Sequence, residues 1–209
     1  MHDKNRNKRL RLLIKKLNKE RKKQAQKIDI LCNDLISAQR DFVKRLKTIS
    51  FVANFYESII GATDLNNLLY TAVELIKEQA DGANVTFFLC QTETFEQHSF
   101  ESGYAIAFGK EHFGNCFSPE LIENICTSNK VCTLEDMFAM GLHGNLVELS
   151  KISAITIPLD GFCSLPGFML VYRSSEKKLT SNEISNISAI TCGLSRAIAS
   201  CQGLLHPTD

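Results

Sequence analysis

Apolar residues recur every three or four positions from Leu10 to Ile59, in one heptad register that no Gly or Pro interrupts. This spacing predicts a coiled-coil helix over residues 10–60, about 75 Å long at 1.5 Å per residue. Because so long a helix is not stable alone in water, the pattern predicts a parallel homodimer. Arg21, Gln24 and Arg45 are weak points of the register. The predicted dimer seam consists of Leu10, Ile14, Leu17, Ile28, Leu31, Leu35, Ala38, Phe42, Ile49, Val52 and Ile59.

The pattern changes after Gly61, which is expected to end the long helix, and it then predicts one α+β domain over residues 61–205. Alternating apolar and β-branched residues predict strands. These strands are expected at 85–90, 95–101, 154–160 and 167–173, with a short strand-like run at 131–134.

Helical periodicity and capping residues predict the remaining elements of this domain. Asp64 is a good N-cap for a helix over 65–80, and Ser118-Pro119-Glu120 begins a second helix. Residues 137–150 read as a broken helix or a lid with Gly141 and Gly144 as hinges. Thr180 or Ser181 caps one last long helix, whose small residues Ala189, Gly193, Ala197 and Ser200 are expected to extend the dimer contact.

The composition is typical of a globular protein with reduced cysteine thiols. Apolar residues make up 44% of it and the mean hydropathy is near zero. No run approaches the roughly 18 apolar residues that cross a bilayer, and the N-terminus does not read as a secretory signal. The eight cysteines are scattered and form no C-x-x-C pair. We therefore expect a cytoplasmic protein with free cysteines.

The net charge of +1 conceals a strong asymmetry. Residues 1–47 hold 16 Lys and Arg against 5 Asp and Glu, whereas the other residues hold 8 against 18. Twelve of the bases lie in residues 4–27, so residues 1–27 form a basic arm at the start of the coiled coil. The arm has four interpretations: a solvated helix face, nucleic-acid binding, binding to an anionic membrane, or contact with the acidic domain of another copy. The nearby cluster Leu10, Leu12, Leu13, Ile14 and Leu17 suits a membrane slightly better than DNA.

The order of these elements, together with three sequence stretches, resembles a GAF domain, a small-molecule sensor module of bacterial signalling proteins. The resemblance covers residues 50–203. The stretches are GATDLNNLLYTAVELIKEQADGANVTFFL, GNCFSPELIENICTSNKVCTLEDM, and SAITIPL followed by GFMLVYR. The resemblance implies an antiparallel central sheet with helices on one face and a lid over the other. It also implies that a coiled coil preceding the domain forms a parallel dimer.

A GAF-like sheet would hold a ligand under the lid, and this expectation selects the candidate site. Alternation places Val85, Phe87 and Leu89 on one side of the first strand. It places Thr86, Phe88 and Cys90 on the other side, where the ligand is expected. The expected ligand contacts are Thr86, Phe88, Phe108, Cys116, Phe117, Phe138, His143 and Thr156. The competing interpretation is that these aromatic residues simply fill the core, which is the commoner role of Phe.

Sequence motifs identify neither an enzyme nor a cofactor. There is no nucleophile elbow, phosphate loop or zinc spacing. Known GAF subfamilies match only in part. Asn129-Lys130 and Phe138 occur without the Asp-Glu pair of cyclic-nucleotide binders, and His143 is the single candidate for a haem ligand. We expect a non-catalytic sensor of an unidentified small molecule that signals through the stalk to a partner protein. The alternatives are a ligand-free dimeric scaffold that docks through the basic arm and, more distantly, a redox sensor using Cys116.

Overall fold

The computed structural model describes residues 2–91, 94–100, 113–159 and 167–205. The chain divides into two compact units, one up to Ile49 and one from Ser50 onward, and each is described by itself. Within the described residues, no helix is long and apolar enough to cross a membrane.

Seven α-helices and five strands make up the described chain. The helices are α1 His2–Ile59, α2 Leu65–Gln79, α3 Pro119–Ser128, α4 Leu134–Ala139, α5 Leu146–Leu149, α6 Ser181–Ser188 and α7 Thr191–Leu205. The strands are β1 Asn84–Gln91, β2 Thr94–Phe100, β3 Cys132–Thr133, β4 Ile152–Pro158 and β5 Gly167–Ser174. Two short 3-10 helices lie at Phe113–Cys116 and Ser175–Lys177.

The first unit is the N-terminal part of α1, and its apolar side chains are exposed. The helix extends without interruption over 58 residues, as the heptad pattern predicts. Exposed fractions in the single chain are 66% for Leu31, 69% for Leu35 and 61% for Phe42. The described chain therefore leaves most of the predicted seam uncovered.

The five strands form one antiparallel sheet in the order β2-β1-β5-β4-β3, as expected from the sequence. β5 is the central strand, and all of its residues except the last are buried. Because side chains alternate along a strand, such burial requires apolar cover on both faces of the sheet.

One face of the sheet carries a layer that we call the helix layer. Val85, Phe87 and Leu89 of β1 lie in it together with Met169 and Val171 of β5. Its remaining buried residues come largely from helices and include Phe51, Phe55, Ile59, Leu65, Leu68, Leu69, Ala72, Val73, Ile76, Ile187, Ile190, Leu194 and Ile198.

The end of α1 belongs to this layer, which changes the assignment of two predicted seam residues. Ile59 is 6% exposed and packs in the helix layer, and the partly buried Val52 packs against that layer. Both side chains thus contribute to the core of their own domain. Phe51 and Phe55 point the same way, and so the domain begins about ten residues before the predicted boundary at Gly61.

Gly193 makes its close contact within the chain. A Cβ atom at Gly193 would lie 1.9 Å from Cε1 of Tyr56, so only glycine lets this ring rest on α7. Ala189 and Ser200, expected beside Gly193 in a dimer contact, are exposed, and Ala197 packs partly against the helix layer.

Helix ends follow the predicted caps, with one exception. Asp64 accepts a hydrogen bond from the Asn67 amide at 2.7 Å, and Ser118 caps α3 with Pro119 in its first turn. The prediction of one long C-terminal helix is wrong, because the helix is interrupted at Ala189 and Ile190, between α6 and α7. There the Thr191 hydroxyl donates to the Ser188 carbonyl at 2.9 Å, a local bond that competes with regular helix bonding.

The predicted broken helix over 137–150 is present as α4 and α5. Gly141 has a φ of +107°, which disfavours any residue with a side chain, and it redirects the chain after α4. Leu142 then points inward, and its amide donates to the Met137 carbonyl at 2.9 Å.

A buried arginine joins the end of β5 to two neighbouring segments. Arg173 is 6% exposed, and its guanidinium donates to Glu183 Oε2 at 2.9 Å and to the carbonyls of Lys177, Lys178 and Asp81. Glu183 also accepts from the amide and hydroxyl of Thr180 in a capping box at the start of α6. Burial opposes its ionisation, but these hydrogen bonds and the Arg173 charge hold the pKa of Glu183 below its ordinary value.

Replacing Glu183 tests this network. We expect Glu183→Gln to lower the free energy of unfolding at pH 7 by about 1–3 kcal/mol, because a charge-assisted bond to a buried guanidinium is lost. A carboxylate with a lowered folded-state pKa stabilises fully above its ordinary value of 4.5 and loses that contribution as pH falls below it. Urea unfolding from pH 3 to 7 should therefore show the two proteins converging at low pH. The exposed Glu176→Gln serves as the control, and an equal loss there would contradict the assignment.

Candidate functional site

The strand register aligns the predicted polar positions in one row across the sheet. Thr86 of β1 is opposite both Ser99 of β2 and Leu170 of β5. Leu170 is in turn opposite Thr156 of β4, and Thr156 is opposite Cys132 of β3. The two threonines are therefore two strands apart, about 10 Å at normal strand spacing, with one leucine between them.

Aromatic side chains on the same face flank this polar row. Phe88 and Phe168 are paired across β1 and β5, and their rings stack with centroids 4.7 Å apart. Tyr172 lies on the other side of the row, two residues beyond Leu170. The buried residues of this face, which we call the aromatic layer, include Phe88, Phe113, Phe117, Leu121, Ile122, Ile125, Cys132, Met137, Leu142, Leu149, Ala154, Phe168, Leu170 and Tyr172.

The 3-10 helix Phe113–Cys116 covers one end of the row. Phe113 packs edge-on against Tyr172 at 5.2 Å, and Phe117 lies 5.2 Å from Phe88. A Cβ atom at Gly114 would come within 2.4 Å of Gln97 Nε2 and 3.6 Å of the Thr86 methyl. A side chain at this position would therefore have to displace the Gln97 amide group.

Thr86 belongs to a hydrogen-bonded chain that leads to the edge of the sheet. Its hydroxyl donates to Ser99 Oγ at 3.3 Å, and Gln97 Nε2 donates to the same oxygen at 3.0 Å. Sequence reasoning missed Ser99 and Gln97. Their alternation in the segment FEQHSFE was the available signal, but assigning them to the site requires the pairing of β2 with β1.

Thr156 differs from Thr86 in its bonding. It is fully buried, and among the described residues its hydroxyl has no hydrogen-bond partner. Removing a hydroxyl from water without a partner costs roughly 1–3 kcal/mol. The row therefore holds one satisfied and one unsatisfied hydroxyl on an otherwise largely apolar face.

The other predicted contacts divide into three groups. Phe117 is buried in the aromatic layer, and Cys116 and Phe138 pack partly against it. His143 is exposed, because Leu142 takes the inward position after Gly141. Phe108 lies outside the described residues. The structure thus brings together Thr86, Phe88, Cys116, Phe117, Phe138 and Thr156 on one face of the sheet.

Cys126 and Cys132 of the aromatic layer are not in disulfides. Burial, with a smaller contribution from Cys90, raises the pKa of Cys126 to about 11, so Cys126 is protonated at neutral pH. Cys132 donates to the Lys130 carbonyl at 3.3 Å and lies 3.4 Å from Ser128 Oγ. Within the described parts of the chain, no three His, Cys, Asp or Glu residues group in a way that could hold a metal ion.

Comparisons with known proteins identify the fold. No protein-family model matches the chain, and no curated protein matches its sequence. Solved structures do match. The GAF domain of a phosphoenolpyruvate-protein phosphotransferase from Acinetobacter superposes with a TM-score of 0.55 at 11% identity, covering 76% of this chain and 96% of that one. The GAF domain of a two-component sensor histidine kinase from Bacillus halodurans gives 0.54 at 15% identity, covering 69% and 100%. A GAF domain/HD domain protein from Geobacter sulfurreducens gives 0.50 at 11% identity, covering 69% and 97%.

These matches establish the class of the fold. The chain has the α+β fold of GAF domains, preceded by the long helix α1, and the resemblance inferred from the sequence is confirmed at the level of fold. Identities of 11–15% show the fold alone, and so the function rests on the residues of this chain.

Two matched substitutions test the difference between the hydroxyls. We expect Thr86→Val to lower the free energy of unfolding by about 1 kcal/mol, because a hydrogen bond is lost. Thr156→Val should leave stability unchanged or raise it, because a methyl group replaces an unpaired hydroxyl of similar size. Urea denaturation of both variants measures the difference. Equal destabilisation by the two substitutions would show that Thr156 has a partner.

Proposed function

We propose that this protein is a non-catalytic sensory or regulatory module that binds a small molecule on the aromatic layer and signals through α1. The ligand would lie over the row formed by Thr86, Leu170 and Thr156, with Phe88 and Phe117 beside it. Such a combination of apolar walls and few polar groups is typical of small-molecule sites.

The buried Thr156 hydroxyl, which has no hydrogen-bond partner among the described residues, is the observation that carries this proposal. A buried hydroxyl without a partner is normally eliminated or bonded, because its desolvation is not compensated. A ligand that donates to or accepts from Thr156 would supply the missing bond. This reasoning favours a ligand with an apolar body and one hydrogen-bonding group.

The close packing of the aromatic layer favours a second candidate, a ligand-free dimeric scaffold. Phe88, Phe168 and Phe117 contact one another with centroids 4.7–6.2 Å apart, and all three are buried. Side chains at these distances would themselves occupy the space that a ligand needs. The two candidates predict different responses to small molecules.

Ligand binding can be measured by thermal shift against cyclic nucleotides, amino acids and haem. A compound that binds the folded state should raise the melting temperature, and the rise should continue with the logarithm of its concentration above the Kd. Thr156→Val should weaken binding of that compound about tenfold, because one hydrogen bond to the ligand is lost. Thr127→Val, on the exposed surface of α3, is the control. If no compound shifts the protein, the scaffold is the better assignment, and an unchanged affinity in Thr156→Val would remove that residue from the site.

The same proposal includes a parallel homodimer through the first unit. Seam residues such as Ile28, Leu31 and Leu35 are 59–69% exposed in the single chain, and a long isolated helix is unstable in water. A second copy of α1 would cover this stripe at the a and d positions. A ligand could affect that helix only by binding two arrangements of the domain with different affinities.

Paired charge substitutions test the seam. We expect Leu31→Glu with Leu35→Glu to convert a dimer into a monomer at micromolar concentration and to reduce helical circular dichroism, because two charges enter the apolar seam. Asn33→Glu with Ser37→Glu, at outward positions of the same turns, should leave the dimer intact. Light scattering of the full chain gives the mass. A monomeric parent protein, or dissociation by both pairs alike, would contradict the assignment.

A further inference from the structure

The bases of α1 are concentrated on the side opposite the predicted seam. In the heptad register, positions b, c and f point away from the partner helix. Because α1 is continuous over this segment, that register fixes the direction of each side chain. The outward positions hold Lys8, Arg9, Lys15, Lys16, Lys19, Lys22 and Lys23, which we call the basic face, and all seven are exposed.

Acidic residues do little to neutralise the basic face. Glu20 is the only acidic residue between Lys4 and Lys27, and it pairs with Lys23 at 3.3 Å on the exposed surface. Exposed ion pairs of this kind contribute little to the free energy of folding. The basic face ends at Lys23, because the next outward positions include Gln26, Asp29 and Ile30. Seven positive charges thus lie along about 22 Å of helix.

The position of the leucine cluster argues against membrane binding. Leu10, Ile14 and Leu17 occupy d and a positions, so the seam and a lipid surface would compete for the same side chains. Leu12 is the one large apolar residue among the outward positions of this segment. Between residues 18 and 27 no large apolar residue occurs, although the basic face continues through Lys22 and Lys23. A membrane helix needs its apolar and basic residues together, whereas a polyanion needs only the bases.

From this arrangement we infer that the basic face binds the phosphate backbone of duplex nucleic acid, without sequence preference. Lysine predominates on the face, and it contacts phosphate as a point charge without reading bases. No aromatic residue precedes Phe42, so the stacking that single strands require is absent from this segment. The inference rests on the proposed dimer, because the seam makes the basic face the surface that points outward.

Binding of the full chain to a 30-base-pair DNA duplex, followed by fluorescence anisotropy between 50 and 200 mM NaCl, tests the inference. We expect affinity to fall steeply with salt, as released counterions require. A variant with Lys15→Gln, Lys16→Gln, Lys22→Gln and Lys23→Gln should lose at least tenfold in affinity at 100 mM NaCl and show a smaller salt slope. The matched control, Lys130→Gln, Lys151→Gln, Lys177→Gln and Lys178→Gln, removes the same charge from exposed positions of the second unit and should change affinity less than twofold.

Further arms of the same experiment separate the alternatives. An RNA duplex of equal length tests whether a phosphate backbone is sufficient for binding. We expect the protein to bind both the DNA and the RNA duplex. Vesicles with 30% phosphatidylserine in phosphatidylcholine represent the membrane, and binding to vesicles without binding to duplex would overturn the inference. Equal losses in the two quadruple variants would also overturn it, since net charge alone would then explain binding. Light scattering of each sample measures dimerisation independently of nucleic-acid binding. A protein that is dimeric but binds neither duplex would refute this inference and leave the proposed dimer intact.

Discussion

Burial of the central strand β5 on both faces is the constraint on which the domain depends. Met169 and Val171 point into the helix layer, while Phe168, Leu170 and Tyr172 point into the aromatic layer. A strand with two apolar faces must be covered twice, and this requirement explains why helices precede, interrupt and follow the sheet. The candidate site depends on the same strand, because its central position places Leu170 between the two threonines.

Within the described chain, no other element covers the apolar side chains of the first unit. Its stability therefore has a different source from that of the domain. Helix propensity alone gives little stability to a long helix in water. In the proposed dimer, the a and d side chains would supply most of that stability by packing against the partner helix. The like charges of the basic face oppose that association when salt is low. A bound polyanion would relieve this repulsion, so nucleic-acid binding and dimerisation should reinforce each other under those conditions.

Sequence patterns correctly predicted the features that depend on interactions between neighbouring residues. Asp64 and Ser118 capped the expected helices, and the alternation of VTFFLC assigned Phe87 and Phe88 to the correct faces. Tertiary packing decided the rest. The row joining Thr86 to Thr156 depends on strand register, and the inward turn of Leu142 leaves His143 exposed. Ile59 continues the heptad pattern, yet the domain core buries it, because a heptad position does not specify which partner covers it.

The positions of the site and of α1 limit how a signal could pass between them. The proposed ligand face is the aromatic layer, whereas Phe51, Phe55 and Ile59 of α1 lie in the helix layer on the other side of the sheet. A change at Thr156 must therefore cross the sheet, and neighbouring residues of β4 and β5 alternate between the two layers. Close-packed layers transmit small displacements, and the Tyr56 ring near the end of α1 rests directly on Gly193 of α7. The proposed signalling would accordingly require a concerted shift of the sheet against its helices, rather than the closing of a loop over the site.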